Sequence, residues 1–231
     1  MNKFSLLKKI IILALILALP GFLYYLLTVE GKNHYKSLPI FGPKQVAKTT
    51  HKVKGKAIPD TIYHTLEDFK LTDQDAKAVS FKDLDKKIFV VNFFYTRCPT
   101  TCKEVNTNMD SLAVVWTKNP MVRFISITVD PNHDTPTVLK DYAKQFKQSP
   151  NWQFLTGDTT TIYNLARKGL LVDALPTGND FIYSNKFILI DSQKKIRGYY
   201  PGTAMLELTR LNDEIKVLIT EELDRNDKPL Y

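Results

Sequence analysis

The only two cysteines of this 231-residue chain stand in one stretch, YTRCPTTCKEV, as Cys98 and Cys102. A Cys-x-x-x-Cys pair can cross-link the backbone, cycle between dithiol and disulfide, or hold a soft metal between two sulfurs. Redox pairs of the thioredoxin kind are spaced Cys-x-x-Cys. Four residues of helix put Cβ atoms about 5 to 6 Å apart on one face, whereas a disulfide prefers about 3.5 to 4.5 Å. Pro99 at a helix start lets the first turn deviate, so a strained, readily reduced bridge fits the spacing. Metal–sulfur bonds of roughly 2.3 Å tolerate sulfurs up to about 4.6 Å apart, and Cu(I) is the soft ion that thiolates select. Spacing alone leaves a redox pair and a two-sulfur copper site both open, with two inert buried thiols as the bland alternative.

The elements around the pair sharpen its chemistry. KIFVVNFFYT (Lys87 to Thr96) is a nearly continuous apolar run of strand length, as expected for a central strand covered on both faces. A helix is expected from Thr100 to Lys118, with Val105, Met109, Leu112, Val115 and Trp116 on one face. Cys98 then lies past the carboxyl end of the strand, where ligands of open α/β sheets collect. The helix N-terminus there favours thiolate over thiol, and Arg97 adds a positive charge. Further along, TIYHTLEDFKLTD reads as a short strand pair and VRFISITVD as a second buried strand. TPTVLKDYAKQF is a helix with Pro136 in its first turn, WQFL a strand, and TTTIYNLARKG a helix stopped by Gly169. FILID and KIRGYY pair as a hairpin around SQKK, and a last amphipathic helix carries Leu208, Leu211, Ile215 and Leu218. The fold class is α/β, a thioredoxin-like central sheet with helices on both faces.

Before this domain, residues 10 to 29 (IIILALILALPGFLYYLLTV) form an uncharged, mostly apolar run of bilayer length. Lys3, Lys8 and Lys9 precede it, which keeps residues 1–9 in the cytoplasm and exports the chain beyond the run. The expected organisation is a cytoplasmic N-terminus (1–9), a single transmembrane anchor (10–29), a tether (30–59) and a folded domain (60–231). The localisation is the cytoplasmic membrane, with the domain on the periplasmic side, where disulfides persist. The net charge of +8 does not indicate nucleic acid, because only six of the 32 basic residues are Arg and the lysines are interspersed with acids. The expectation is no nucleic-acid partner.

Three ordered segments then carry a family resemblance: FFYTRCPTTC, ITVDPNHDTPTVLKDYA and FILIDSQKKIRGYYPGT. Together, over residues 60 to about 222, they resemble the Sco (SenC/PrrC) family, membrane-anchored thioredoxin-fold proteins that help assemble the copper centre of cytochrome c oxidase. The resemblance implies Cys98 and Cys102 as copper thiolates and as the reactive thiols of a thiol-disulfide oxidoreductase. It also implies a partner in the copper-bearing oxidase subunit or another copper or thiol protein. The family's third ligand is a His, and the matching stretch, YSNKFILID, has Tyr183 in its place. A phenol is a poor ligand for soft Cu(I), so the departure weighs toward the thiol role. His133, in VDPNHDTP, is the nearest substitute by position; His34, His51 and His64 lie in the tether or the early strand pair. Asp130 and Asp134 read as turn and helix-cap residues, or as proton acceptors near the thiols. Met109, Met121 and Met205 read as core. The alternative function is a non-enzymatic, redox-sensing assembly factor that docks on an oxidase subunit.

Overall fold

The computed structural model describes residues 3–26, 36–53, 55–98, 101–147, 149–178 and 180–226. It divides into two units, Met1–Lys36 and Ser37–Tyr231. The first unit holds helix α1 (Lys3–Tyr25), which contains Pro20 and exposes Ile16, Leu17 and Phe22 among other apolar side chains. Among the described residues no helix is long and apolar enough to cross a membrane. Residues 27–29 of the expected anchor and 30–35 of the expected tether lie outside the described residues.

In the second unit, β1 (Lys44–Val53) and β2 (Lys56–Tyr63) pair antiparallel as a separate two-stranded ribbon turning at Gly55, whose φ of +81° suits glycine. Next come β3 (Lys70–Asp73), β4 (Ala78–Ser80), β5 (Ile88–Phe94), α2 (Thr101–Val115), β6 (Val122–Thr128), α3 (Pro136–Ala143) and β7 (Trp152–Thr156). Helix α4 (Thr159–Asn164) runs on as a π turn through Leu165–Gly169. Strands β8 (Ala174–Thr177) and β9 (Asp180–Tyr183) form another small hairpin, followed by β10 (Lys186–Ile190), β11 (Ile196–Pro201) and α5 (Met205–Asn226).

The main sheet has seven strands in the order β11-β10-β5-β6-β7-β3-β4. β5, β6 and β7 are parallel and the flanking pairs antiparallel. Every residue of β5 is buried, so both sides of the central strand are covered, as its apolar run requires. Helix α2 buries Val105, Met109 and Leu112. The helical track continues to Trp116, whose indole N–H donates to Asn212 of α5 at 2.9 Å, and Val115, expected on this face, is 67% exposed.

One other expectation is corrected. The segment TIYHTLEDFKLTD does not pair with itself: β2 pairs with β1, while β3 lies between β4 and β7 with Leu71 buried. The helical segment of TTTIYNLARKG ends at Gly169 as expected, and the positive φ that follows it falls on Leu171. The compact second unit begins at Ser37, so it takes in described residues of the expected tether together with the expected domain. Arg197 is buried, and a buried guanidinium is costly unless its donors are met. Asp191 and Glu221 each pair with it at 2.9 Å, and the carbonyls of Leu38 and Pro39 accept from it at 2.7 and 3.2 Å. Glu221 also accepts from the Leu38 amide at 3.0 Å, and Phe41 bridges to Ile196. The supposed tether is therefore partly bound to the domain.

Candidate redox and metal site

Strand β5 delivers its last residues to the rim. Val129 N–H donates to Phe94 carbonyl at 2.8 Å, holding the ends of β5 and β6 together. The chain then turns through Tyr95, Thr96 and Arg97 to Cys98, whose amide donates to the Tyr95 carbonyl at 3.2 Å. Cys98 and Cys102 are joined as a disulfide, with Cα atoms 5.9 Å apart. Cys98 precedes the first residue of α2, so the pair escapes the Cβ separation of a regular helical turn. Pro99 and Thr100, expected to open that turn, lie outside the described residues. The Cys102 amide, in the first turn of α2, donates to Cys98 Sγ at 3.3 Å. Cys102 is 2% exposed, while Cys98 is only partly buried.

Tyr183, at the end of β9, reaches both sulfurs. Its hydroxyl lies 2.8 Å from Cys102 Sγ and 3.4 Å from Cys98 Sγ. Its ring stands edge-on to Tyr95, centroids 5.7 Å apart, and Phe181 packs on the same Tyr95 at 5.1 Å. Tyr95 closes the arrangement by donating its hydroxyl proton to Asp180 Oδ1 at 2.6 Å. Burial and the acceptance of that hydrogen bond by Asp180 push the Tyr95 phenol up to about 12, and the same hydrogen bond lowers Asp180. Burial, then the Asp180 charge, raises the Tyr183 phenol above its ordinary value, so it faces the sulfurs as a neutral donor.

The VDPNHDTP segment holds the cysteine loop from the other side. Asp134 is fully buried and accepts from the Thr96 amide at 3.0 Å and from the hydroxyls of Thr96 and Thr128. Its expected role as a helix cap is taken by Thr135, whose side chain accepts from Val138 N–H. Asp130 pairs with Arg97 at 2.5 Å, so the charge expected to favour a thiolate is already balanced by a carboxylate. His133 turns to Asp134, 2.9 Å away, and Thr96 Oγ1 lies 3.4 Å from the same ring nitrogen. The ligand atoms of Asp130, His133 and Asp134 fall within 4.8 Å of one another, yet these contacts commit them to each other and to the loop. His51 pairs with Asp60 at 2.6 Å, and His64 Nε2 lies 2.7 Å from the Gly169 carbonyl oxygen. His34 lies outside the described residues. No described histidine contacts a sulfur. Met109 is core as expected, whereas Met205 is 72% exposed at the start of α5.

Tyr95, Thr96, Thr128 and Asp180 were not singled out from sequence. Nor was the buried net under the site, in which Asn92 of β5 donates to Asn106 of α2 at 2.9 Å and accepts from Ser126 of β6 at 2.6 Å. Asn106 donates to the Tyr142 hydroxyl at 3.1 Å, and Trp152 N–H donates to Ser126 Oγ at 2.9 Å. Tyr95 and Thr96 directly precede the cysteine loop in FFYTRC, the one signal that could have marked them.

Chemically, the rim offers two neighbouring sulfurs and a neutral phenol oxygen. Once reduced, that set fits a soft monovalent ion such as Cu(I), which two thiolates satisfy. It does not fit Cu(II), which favours nitrogen and oxygen donors in tetragonal geometry. As a disulfide the same pair is an acceptor for an attacking thiol.

The SCO1/SenC family profile matches residues 59–219. A SCO1 protein homolog from Bacillus subtilis (strain 168) is 33% identical over 153 residues, spanning 64% of this chain and 79% of that protein. A solved structure of BsSco, described as a member of the Sco family of cytochrome c oxidase assembly proteins with a disulfide switch, superposes with a TM-score of 0.62 at 30% identity, covering 68% of this chain and 94% of that one. Bradyrhizobium japonicum ScoI, solved with copper bound, gives a TM-score of 0.57 at 28% identity, over 67% of this chain and 99% of that one. The central mixed sheet and its helices match these thioredoxin-like structures.

Proposed function

The chain belongs to the SCO1/SenC family, and from that premise we propose that it serves the assembly of the copper centre of cytochrome c oxidase, handling copper, the thiols of its partner, or both. The observation that carries the reading is the Cys98–Cys102 pair at the exit of the central strand, with the side chain of residue 183 against both sulfurs. As a copper carrier, the reduced protein holds Cu(I) between the two thiolates and passes it by ligand exchange to the copper-bearing oxidase subunit. As a reductase, one thiolate attacks a partner disulfide and the other resolves the mixed disulfide. The copper-bound relative supports the first role, and the relative with a disulfide switch supports the second. Tyr183 in place of the family His favours thiol exchange over Cu(II) retention.

Titration of the purified protein tests this. The dithiol form should bind an equivalent of Cu(I) and the disulfide form none; equal binding by both forms would sink the two-thiolate site.

The proposal includes an anchor formed by residues 10–29, with the domain on the exported side of the cytoplasmic membrane. Its support is the uncharged, mostly apolar run and the lysines that precede it. A C-terminal reporter active only after export should be active; a stable but inactive fusion would reverse the topology.

A further inference from the structure

We infer that Tyr183 divides the labour of the two sulfurs: its hydroxyl receives Cys102 Sγ as the leaving thiolate when an incoming thiol attacks Cys98. This rests on the thiol-exchange half of the proposed function and assigns roles within it. Cys102 is the sulfur nearer the hydroxyl, 2.8 Å against 3.4 Å for Cys98. It is also the inaccessible one at 2% exposure, so an attacker from solvent meets Cys98, which is only partly buried. Among the described residues the two sulfurs are the sole hydrogen-bond partners of the Tyr183 hydroxyl. Its ring is held by the edge contact with Tyr95, whose own hydroxyl is committed to Asp180.

In the first step the incoming thiolate forms an S–S bond to Cys98 Sγ. The Cys98–Cys102 bond breaks and its electron pair stays on Cys102 Sγ. The phenol keeps its proton and points its O–H at this new thiolate. A hydrogen bond to an ionised acceptor is about twice as strong as a neutral one, so the contact gains strength as charge develops at the leaving sulfur. A second external thiol then attacks the incoming sulfur and releases Cys98. Two external thiols are oxidised to a disulfide, the protein disulfide is reduced to two thiols, and the protons of the external thiols end in the dithiol form. The reductant is a thiol, of a small molecule or of a partner protein.

The experiment uses the full chain in its disulfide form, with glutathione as the attacking thiol, in the native protein, Tyr183→Phe and Tyr183→His. Adduct formation is followed in time after an alkylating quench, and its position is assigned by mass spectrometry. The adduct should sit on Cys98. Its rate of formation should fall about tenfold or more in Tyr183→Phe, the loss expected for one hydrogen bond to a charged group. Tyr183→His, which restores a donor, should recover most of the rate. Phenylalanine keeps the ring and its packing, so an unchanged rate in Tyr183→Phe would overturn the inference and leave the exchange reading standing. An adduct on Cys102 would also overturn it. No adduct on either cysteine of the native protein would overturn the exchange reading and, with it, the inference.

Discussion

Replacing either Cys98 or Cys102 by Ser should lower Cu(I) affinity by at least about a hundredfold. Loss of a mere outer-shell partner already costs about 10–100-fold in metal affinity, and here one of two sulfur donors is removed. A serine hydroxyl is a hard donor and does not replace a thiolate for a soft ion. Competition against a Cu(I) chelator under reducing conditions gives the number, with the far-UV spectrum as a control for folding. Native-like affinity in either single variant would mean that the ion is held elsewhere. The same variants separate the two functional readings. If Cys98→Ser abolishes oxidase assembly while partner docking survives, the thiols act chemically. If assembly also survives, the chain is a docking factor whose cysteines are dispensable.

The second large effect is expected at Tyr183, where the family resemblance implies a histidine. The reduced native protein should hold Cu(II) poorly, because two thiolates and a neutral phenol leave it without a nitrogen donor. Tyr183→His puts a nitrogen donor at the position whose side chain faces both sulfurs in the native protein. Cu(II) affinity should rise by roughly a hundredfold, on the order of the loss known when metal-site partners are removed. A thiolate-to-copper absorption band should appear with it. Tyr183→Phe should leave Cu(II) affinity near the native value. Tight native binding that collapses in His133→Ala would assign the third donor to His133 instead. The structure argues against that outcome, since the His133 ring is turned to Asp134 and Thr96.

The parts of this architecture that were readable from sequence are those with dense local signals. β5 announces itself because a strand buried on both faces must be apolar at every position, and Ile88–Phe94 nearly is. The face of α2 shows in the spacing of Val105, Met109 and Leu112. Cys98 and Cys102 stand out by type alone, and Tyr183 by its place in a segment similar to the family's. What stayed hidden depends on distant partners. Ser37–Phe41 looked like free tether because its acceptors are spent on Arg197, a residue far along the chain. The Asn92–Asn106–Ser126 net reads as polar interruptions of apolar elements until the three side chains meet. Strands β8 and β9 are four residues each, too short to show a period. Arg97 looked like an unpaired charge beside the thiols, and only the fold supplies Asp130.

The two halves of the site also differ in how they are mounted. The cysteines are carried by the junction of β5 and α2, over a sheet whose central strand is wholly buried. Tyr183 is carried by the β8–β9 hairpin, which is not part of that sheet and whose residues are mostly not buried. A change of side chain at 183 therefore strands no hydrogen bond of the seven-stranded sheet, and what it alters in packing is the ring that stands edge-on to Tyr95. Exchange of imidazole for phenol there alters no residue of the main sheet or α2, so the group that faces the sulfurs is mounted apart from the elements that carry them. The scaffold fixes where the two sulfurs sit, and the hairpin alone decides which group meets them.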